Sequence, residues 1–385
     1  MTFTLIPAEG ENFVNRKELL NDMVKTLSDP NIAMGFALYG IRRVGKTSIF
    51  KEVVRQLSLQ KAVVPVYFSL WKLVENTVEE FAKKLSLTIL EAYGDRIGFT
   101  YKAKNLLEIS LSLLKDLLQN LSISLKLREE IEIILAFRHL QQNDVSVMLE
   151  RVFSLSEHLA QETNTRSVLF LDEFPSIVGL KKNNAQIGEG VIRFIRTLHE
   201  TQQHTILCIS GSIRKTMEIT VLSSTSAFYK QFIIRKIGPL EKSHIKELLL
   251  RNFPEIPEVV VEKVWDFSRG IPFYAQAIGR QLERMEKIDR ETVTQAIESF
   301  LTQEGAIIFR EQFSQLSPKE RKIIDVMAKY DLTSISEIST KAGESFTTVN
   351  RYLLYLEEKG VLEKVDKAKF QFEDHVFKQW LQLQN

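Results

Sequence analysis

Cysteine is nearly absent: Cys208 stands alone among 385 residues, which excludes an internal disulfide and every multi-cysteine zinc motif. It lies in the apolar run "TILCIS", where it reads as a buried structural thiol, and a reducing cytoplasm fits such a chain. Excess charge is missing too. With 51 Lys+Arg against 49 Asp+Glu the net charge is +2, so the chain as a whole carries no electrostatic signal for nucleic acid or for an acidic membrane surface. Any basic surface has to be local. The longest apolar segment, residues 106–137, is interrupted by Glu108, Lys115, Asp116, Lys126 and the run Arg128-Glu129-Glu130. That excludes a membrane span, which needs about 20 nearly uncharged residues. The opening "MTFTLIPAEGENF" has no basic stretch leading into an apolar core and does not read as a secretory signal. Internal repeats and low-complexity tracts are lacking as well.

What is present is the composition of a globular protein, 44% hydrophobic and 26% charged, in a chain long enough for two or three domains. Five runs predict strands: residues 34–39, 62–70, 167–173, 205–210 and 232–237. Each is aliphatic or β-branched, and most lack polar alternation, which suits strands covered on both faces. Helical patterns lie between them at Glu18–Ser28, Ser48–Gln60, Val74–Tyr93, Ser146–Glu162 and Gly190–Thr201. Strand and helix in alternation predict an α/β wound parallel sheet over residues 1–238.

One piece breaks the rhythm, an insertion at about 95–145. In "LSISLKLREEIEIILAF" (121–137) apolar residues alternate with polar ones across a charged turn, which predicts a β-hairpin; a helix is the alternative, because the flanking residues have helical spacing. After Pro239 strands give way to helical patterns, predicting a small helical unit over 239–305. Over 306–385 three helices and a hairpin spell a winged helix-turn-helix. Its first helix starts at Ser317-Pro318, with Glu320 completing a capping box.

The chemistry is concentrated at "ALYGIRRVGKTSIF" (37–50), where Gly40-Ile41-Arg42-Arg43-Val44-Gly45-Lys46-Thr47 satisfies G-x-x-x-x-G-K-[ST]. Such a match arises by chance in about one chain in a hundred of this length. A strand before it and a helix after it supply the context that the motif requires. The glycines let backbone amides approach phosphate oxygens, Lys46 would meet the β/γ-phosphates, and the Thr47 hydroxyl would ligate Mg²⁺. In "VLFLDEFP", Asp172 at a strand end would hold the metal through water, leaving Glu173 to orient or deprotonate an attacking water. Ser210 and Ser212 of "ISGS" end the next strand and are candidates for contact with the γ-phosphate or the water.

These residues in this order resemble the archaeal-type ATPases of the STAND branch of AAA+-related P-loop proteins. Further shared segments are "FVNRKEL" (13–19), "RGIPFY" (269–274) and the terminal "FEDHVFKQWL". The resemblance implies an α/β P-loop NTPase fold (AAA+/ASCE-like) followed by a helical lid and a winged helix, with ATP or ADP and Mg²⁺ as ligands. It implies nucleotide contacts from residues 40–48, Ser48 included. It places Phe13, Val14 and Arg16 beside adenine, with Gly270-Ile271-Pro272 closing over base and sugar. One position departs from it: relatives carry an arginine just before the fifth strand, near the γ-phosphate, where this chain has Gln231. Arg42, Arg43 and Arg214 are the nearest replacements, Arg235 lies within the strand itself, and the departure predicts slow hydrolysis unless a cation comes from elsewhere.

Two uses of the energy follow. One is a regulatory switch whose nucleotide state moves the winged helix and exposes a surface for a protein partner or for self-assembly. The other is a DNA-associated AAA+ factor, similar to origin-recognition or transposition ATPases, that contacts DNA through residues 345–370. Thr347, Thr348, Asn350, Arg351, Lys364, Lys367 and Lys369 favour DNA, and Glu357, Glu358 and Glu363 oppose it.

Overall fold

A computed structural model describes residues 3–98, 119, 121–135, 145–212, 217, 228 and 230–384. Its centre is a five-stranded parallel sheet of β1 (Gly35–Tyr39), β2 (Val63–Ser69), β3 (Arg166–Asp172), β4 (Thr205–Gly211) and β5 (Phe232–Lys236), in the order β2-β3-β4-β1-β5. The strand that ends in Asp172 is thus separated from the strand that feeds the glycine loop by one intercalated strand. Every residue of β4 and all but the first of β3 are buried, as their unbroken apolar runs require.

Each face of the sheet is covered by helices. On one face α1 (Lys17–Ser28) and α2 (Lys46–Leu57) pack Met23, Leu27, Ile49, Phe50 and Val53 against Phe36, Leu38, Val168, Phe170 and Cys208. The other face is covered by α3 (Val78–Ile97), α4 (Leu125–Leu135), α5 (Val145–Glu162) and α6 (Gly188–Thr201), and takes Val64, Val66, Phe68, Leu169, Leu171 and Leu207 into a second core. The alternation of side chains along β2 and β3 between these two cores is the period-two geometry of a strand.

The hairpin expected over 121–137 is not formed. Leu125–Leu135 is helix α4, and Arg128 N–H bonds to the Ser124 carbonyl at 3.1 Å in the i to i−4 pattern. Leu127 and Ile131, four apart, are buried, whereas Leu125 is 74% exposed. The apparent alternation joins two buried residues ahead of the helix, Leu121 and Ile123, to a helical stripe that happens to continue the same spacing. Residues 136 and 137 lie outside the described residues.

Beyond β5 follow α7 (Lys242–Leu250), α8 (Glu258–Ser268), α9 (Pro272–Leu282), α10 (Arg290–Thr302) and α11 (Glu304–Ser314). The chain closes with α12 (Pro318–Tyr330), α13 (Ile335–Ala342), α14 (Phe346–Glu358), an antiparallel wing of β6 (Leu362–Asp366) and β7 (Lys369–Phe372), and α15 (His375–Gln384). Ser317 and Glu320 form the capping box foreseen at the start of α12. The helical lid and the winged helix share one core, which runs through Tyr274, Phe300, Phe309, Phe377 and Trp380 and also takes in Phe3.

Close approach of β1 to β4 sets a sharp constraint. A Cβ on Gly35 would lie 1.7 Å from the Leu207 carbonyl oxygen, which is backbone and cannot rotate away. Gly35→Ala is therefore expected to cost at least about 3 kcal/mol in denaturant unfolding. Gly190→Ala, in α6 with no atom within 4 Å of the added carbon, should instead gain up to about 1 kcal/mol.

Candidate functional site

The loop after β1 is shaped by its glycines. Gly45 has φ +99° and caps α2; a Cβ there would meet no atom within 4 Å, so the loop is open toward whatever it cradles. At Gly40 a Cβ would sit 2.2 Å from the Ile237 carbonyl oxygen, so only glycine fits. The apolar face of α2 docks on the sheet and fixes where its N-terminus points, and that N-terminus is an anion-binding end. Lys46 is buried, and its Nζ donates to the carbonyl oxygens of Gly40 and Ile41, both at 2.9 Å. Burial lowers the Lys46 pKa, and the nearby carboxylates of Glu173, Asp172 and Glu373 work against that.

Thr47 Oγ1 donates to Asp172 Oδ2 at 2.8 Å, so the loop and the acidic strand end meet. Asp172 is only 2% exposed, and two more hydroxyls converge on it: Tyr67 OH on Oδ2 at 2.7 Å, and Ser210 Oγ on Oδ1. Tyr67 was not foreseen. Its position in β2, opposite Phe170 and two rows before the Ser69–Asp172 pair, becomes visible only once the strand register is known. Burial, and then the negative charge of Asp172, raise its pKa, so it remains a phenol that can donate.

Glu173 follows with a left-handed backbone, φ 54°, and accepts from Ser212 Oγ at 3.4 Å. Burial raises its pKa, opposed by Lys46. A carboxyl held up in this way is a better proton acceptor than an exposed one.

A cavity of about 380 Å³ lies beside these groups. Its walls are Arg42, Arg43 and Gly45–Ser48 from the loop, Glu173, Trp71, the lid residues Pro272, Phe273 and Gln276, and the N-terminal stretch Thr4–Ala8. That stretch spans core and lid: Ala8 N–H donates to Ser48 Oγ at 3.0 Å, and Thr4 N–H to Gln276 Oε1 at 3.1 Å. Nothing in its sequence marked it, because its role rests on contacts with residues some 40 and 270 positions away.

The residues expected at the base divide. Pro272 lines the cavity, whereas Phe13 packs against the core of α1 and α2 and Val14 is buried in the lid core. Arg16 braces the loop instead, donating to the carbonyls of Val44 at 3.2 Å and Gly238 at 2.7 Å, with its pKa drawn by burial to about 10. Gly270 ends α8 at φ +78°, with the Leu240 carbonyl oxygen 2.1 Å from where a Cβ would be, and Val44 is wholly buried. Gln231 donates to Glu200 Oε1 at 2.6 Å on the exposed end of α6, and Arg235 pairs with Asp22 at 2.9 Å on the sheet edge. Neither lines the cavity; Arg214 lies outside the described residues.

The residues present fit a magnesium–triphosphate ligand. Among the described residues no group of three or more His, Cys, Asp or Glu side chains is placed to hold a metal ion. A hydroxyl and one carboxylate 2.8 Å apart, next to a loop open to anions, are the donors that Mg²⁺ uses when phosphate oxygens and water complete its shell.

The phosphate loop also touches the far end of the chain. Arg43, at φ 66°, donates from Nη1 to Tyr274 OH at 2.7 Å and to Asp374 Oδ2 at 2.8 Å, and Tyr274 OH in turn donates to Asp374. Its guanidinium sits 5.4 Å, 5.7 Å and 5.6 Å from the rings of Phe273, Tyr274 and Phe309. Beside Asp374, burial and the neighbouring Glu363 push the Glu373 carboxyl up to about 7, with Lys46 pulling the other way.

No sequence relative is found among curated proteins. In the search of solved structures, a Walker-type ATPase of Pyrococcus abyssi superposes with a TM-score of 0.72 at 18% identity, covering 99% of both chains. The ORC2 protein of Aeropyrum pernix, in its ADPNP–ADP complexes, superposes at 0.55 with 12% identity over 97% of both chains. At these identities the likeness is one of fold. Residues 13–278, which carry the loop, the Asp172-Glu173 pair and the first helices of the lid, match the family model described as an ATPase domain predominantly from Archaea, and the chain belongs to that family.

Proposed function

We propose that this chain is a Mg²⁺-dependent ATPase of the STAND type, a switch in which the nucleotide held at Lys46 governs the position of the lid and the winged helix. The observation that carries this reading is the Arg43 guanidinium. Its backbone belongs to the phosphate loop, yet its hydrogen bonds go to Tyr274 of the lid and Asp374 of the winged helix. A change in the loop therefore reaches both units directly.

ATP would lie along the cavity, its phosphates on the loop and its base between the Thr4–Ala8 stretch and the start of α9. Thr47 and Asp172 would hold Mg²⁺, which when bound offsets charge on the β- and γ-oxygens. Lys46 exchanges loop carbonyls for phosphate oxygens. Glu173, oriented by Ser212, takes the proton of the attacking water. A protein partner or a second copy of the chain would read the exposed state, and the cytoplasm is the compartment that fits. Among the described residues no helix is long and apolar enough to cross a membrane.

Exposed Phe346, Thr347, Arg351 and Tyr355 on α14, with Lys364, Lys367 and Lys369 on the wing, favour the second reading, DNA contact. Against it, the end of α14 and the wing place Glu357, Glu358 and Glu363 around a cavity of about 490 Å³ shared with Gly40 and Lys236, so part of this helix is turned to the ATPase core. Retention on DNA resin that fades with salt would support that reading, whereas a salt-insensitive change of size on adding ATP supports the switch.

Four outcomes are expected. Lys46→Ala should abolish nucleotide binding in calorimetry, and Glu173→Gln should keep ATP while turnover falls about a hundredfold or more; unchanged hydrolysis in both would refute the assignment. Asp374→Asn keeps an acceptor for the N–H groups of Val376 and Phe377 but removes the charge that faces Arg43. It should loosen the winged helix by roughly 1–3 kcal/mol, read as faster hydrogen exchange over 362–384 or a larger radius of gyration. The Glu373 carboxyl gives the pH dependence. Its pKa rises from the usual 4.5 to about 7 in the folded chain, so the folded chain binds the proton more tightly than the unfolded one. The stabilisation is complete below 4.5 and is lost as pH rises through about 7. Melting temperatures of wild type relative to Glu373→Gln should fall across that window and level off above it; parallel curves would show that Glu373 is not the group.

A further inference from the structure

We propose that Arg42 supplies the positive charge which offsets the developing charge on the transferred phosphoryl group, so that the two adjacent arginines divide their work: Arg42 acts on the phosphate and Arg43 holds the winged helix. This rests on the ATPase reading above. Charge in phosphoryl transfer spreads over three equatorial oxygens, and a guanidinium aimed at them is a recurrent and large contribution to rate.

Among the described residues the cavity beside Glu173 is walled by three cations, Lys46, Arg42 and Arg43. Lys46, which donates to two loop carbonyls at 2.9 Å and exchanges them for phosphate oxygens on the reading above, is already used in gripping the bound triphosphate. Arg43 is committed elsewhere, since turning it to the phosphates would strip Tyr274 and Asp374 of their partner and pull its guanidinium from three aromatic rings. Arg42 is different: it is exposed and has no hydrogen-bond or ion-pair partner among the described residues. The left-handed backbone at Arg43 turns the chain between the two neighbours. The Arg42 charge reaches both Lys46 and Glu173, which puts it on the catalytic side. Gln231 is neutral and bonded to Glu200, and Arg235 is paired with Asp22, so neither competes for the task.

The test uses the full chain with Arg42→Ala, Arg42→Lys and Glu173→Gln measured together. For Arg42→Ala, turnover should fall about 10²–10³-fold while ADP affinity stays within about threefold, and the variant should fail to trap ADP with magnesium and aluminium fluoride. Arg42→Lys should restore part of both. Wild-type turnover and trapping in Arg42→Ala would overturn the proposal. So would a loss of ADP affinity that parallels the loss of turnover, because Arg42 would then bind the ground state alone. Misfolding of Arg42→Ala, read in a thermal melt, would also overturn it by giving this side chain a structural role. If the wild-type chain does not hydrolyse ATP, the ATPase reading itself fails, and hydrolysis that Glu173→Gln leaves unchanged removes the role given to Glu173; if Glu173→Gln stops turnover and Arg42→Ala does not, only the role of Arg42 is lost.

Discussion

The carboxylate of Asp172 sits almost wholly out of water at the end of a buried strand, and the molecule is arranged so that this is tolerable. An ionised group in such a place needs partners, and it has three hydroxyl donors, each from a different element: Thr47 from α2, Tyr67 from β2 and Ser210 from β4. That convergence depends on the strand order. With β4 between β1 and β3, Ser210 comes alongside Asp172 while the loop after β1 stays one strand away, far enough to leave space for phosphates and near enough for Thr47 to bridge. The donors are neutral. The carboxylate is therefore held in place without an ion pair that a metal would have to break.

Arg43 is the second organising group, and an arginine is needed there. Its planar head donates to a phenol and a carboxylate while lying within 6 Å of three aromatic rings, a combination that a lysine ammonium on a flexible stem does not reproduce. Asp374 at the same time accepts from the N–H groups of Val376 and Phe377, so one carboxylate both starts α15 and closes the contact. The direction of the last helix is thereby tied to the phosphate loop.

Much of this was legible in the sequence and some was not, for reasons that separate cleanly. The five strands and most helices could be read because buried parallel strands are unbroken apolar runs and the helices keep a 3.6 period; α5, for example, begins within one residue of its expected start. The meeting of Lys46, Thr47, Asp172, Glu173, Ser210 and Ser212 follows from motif and topology together. Tyr67 and the Thr4–Ala8 stretch carry no local signal, since each acts through a partner far away in sequence; Asp374 lies in the shared segment "FEDHVFKQWL", but nothing in that segment pointed to its contact with Arg43. The hairpin over 121–137 failed because seven residues of alternation cannot tell a strand from a bend that runs into a helix. Phe13 and Val14, placed beside adenine by resemblance alone, have side chains that the cores of this particular chain absorb.

The shared core of lid and winged helix constrains how a switch of this kind can move. Tyr274, Phe300, Phe309, Phe377 and Trp380 are packed together, and prising α15 from α11 would expose several of them at about 1.5–3 kcal/mol each. Releasing Arg43 from Asp374 breaks one ion pair whose side chains are 17% and 18% exposed, with its hydrogen bonds, at about 3–5 kcal/mol, less than the sum over those rings. The weak joint is thus between the phosphate loop and the pair of units, not between the units. Phe3 is packed in the lid core, while Ala8 and Gly10 are hydrogen-bonded to Ser48 and Glu52 of α2, so the N-terminal stretch crosses the same joint. On the switch reading proposed above, a motion driven from Lys46 would carry lid and winged helix as one body, and it would strain the stretch that lines the cavity as it did so.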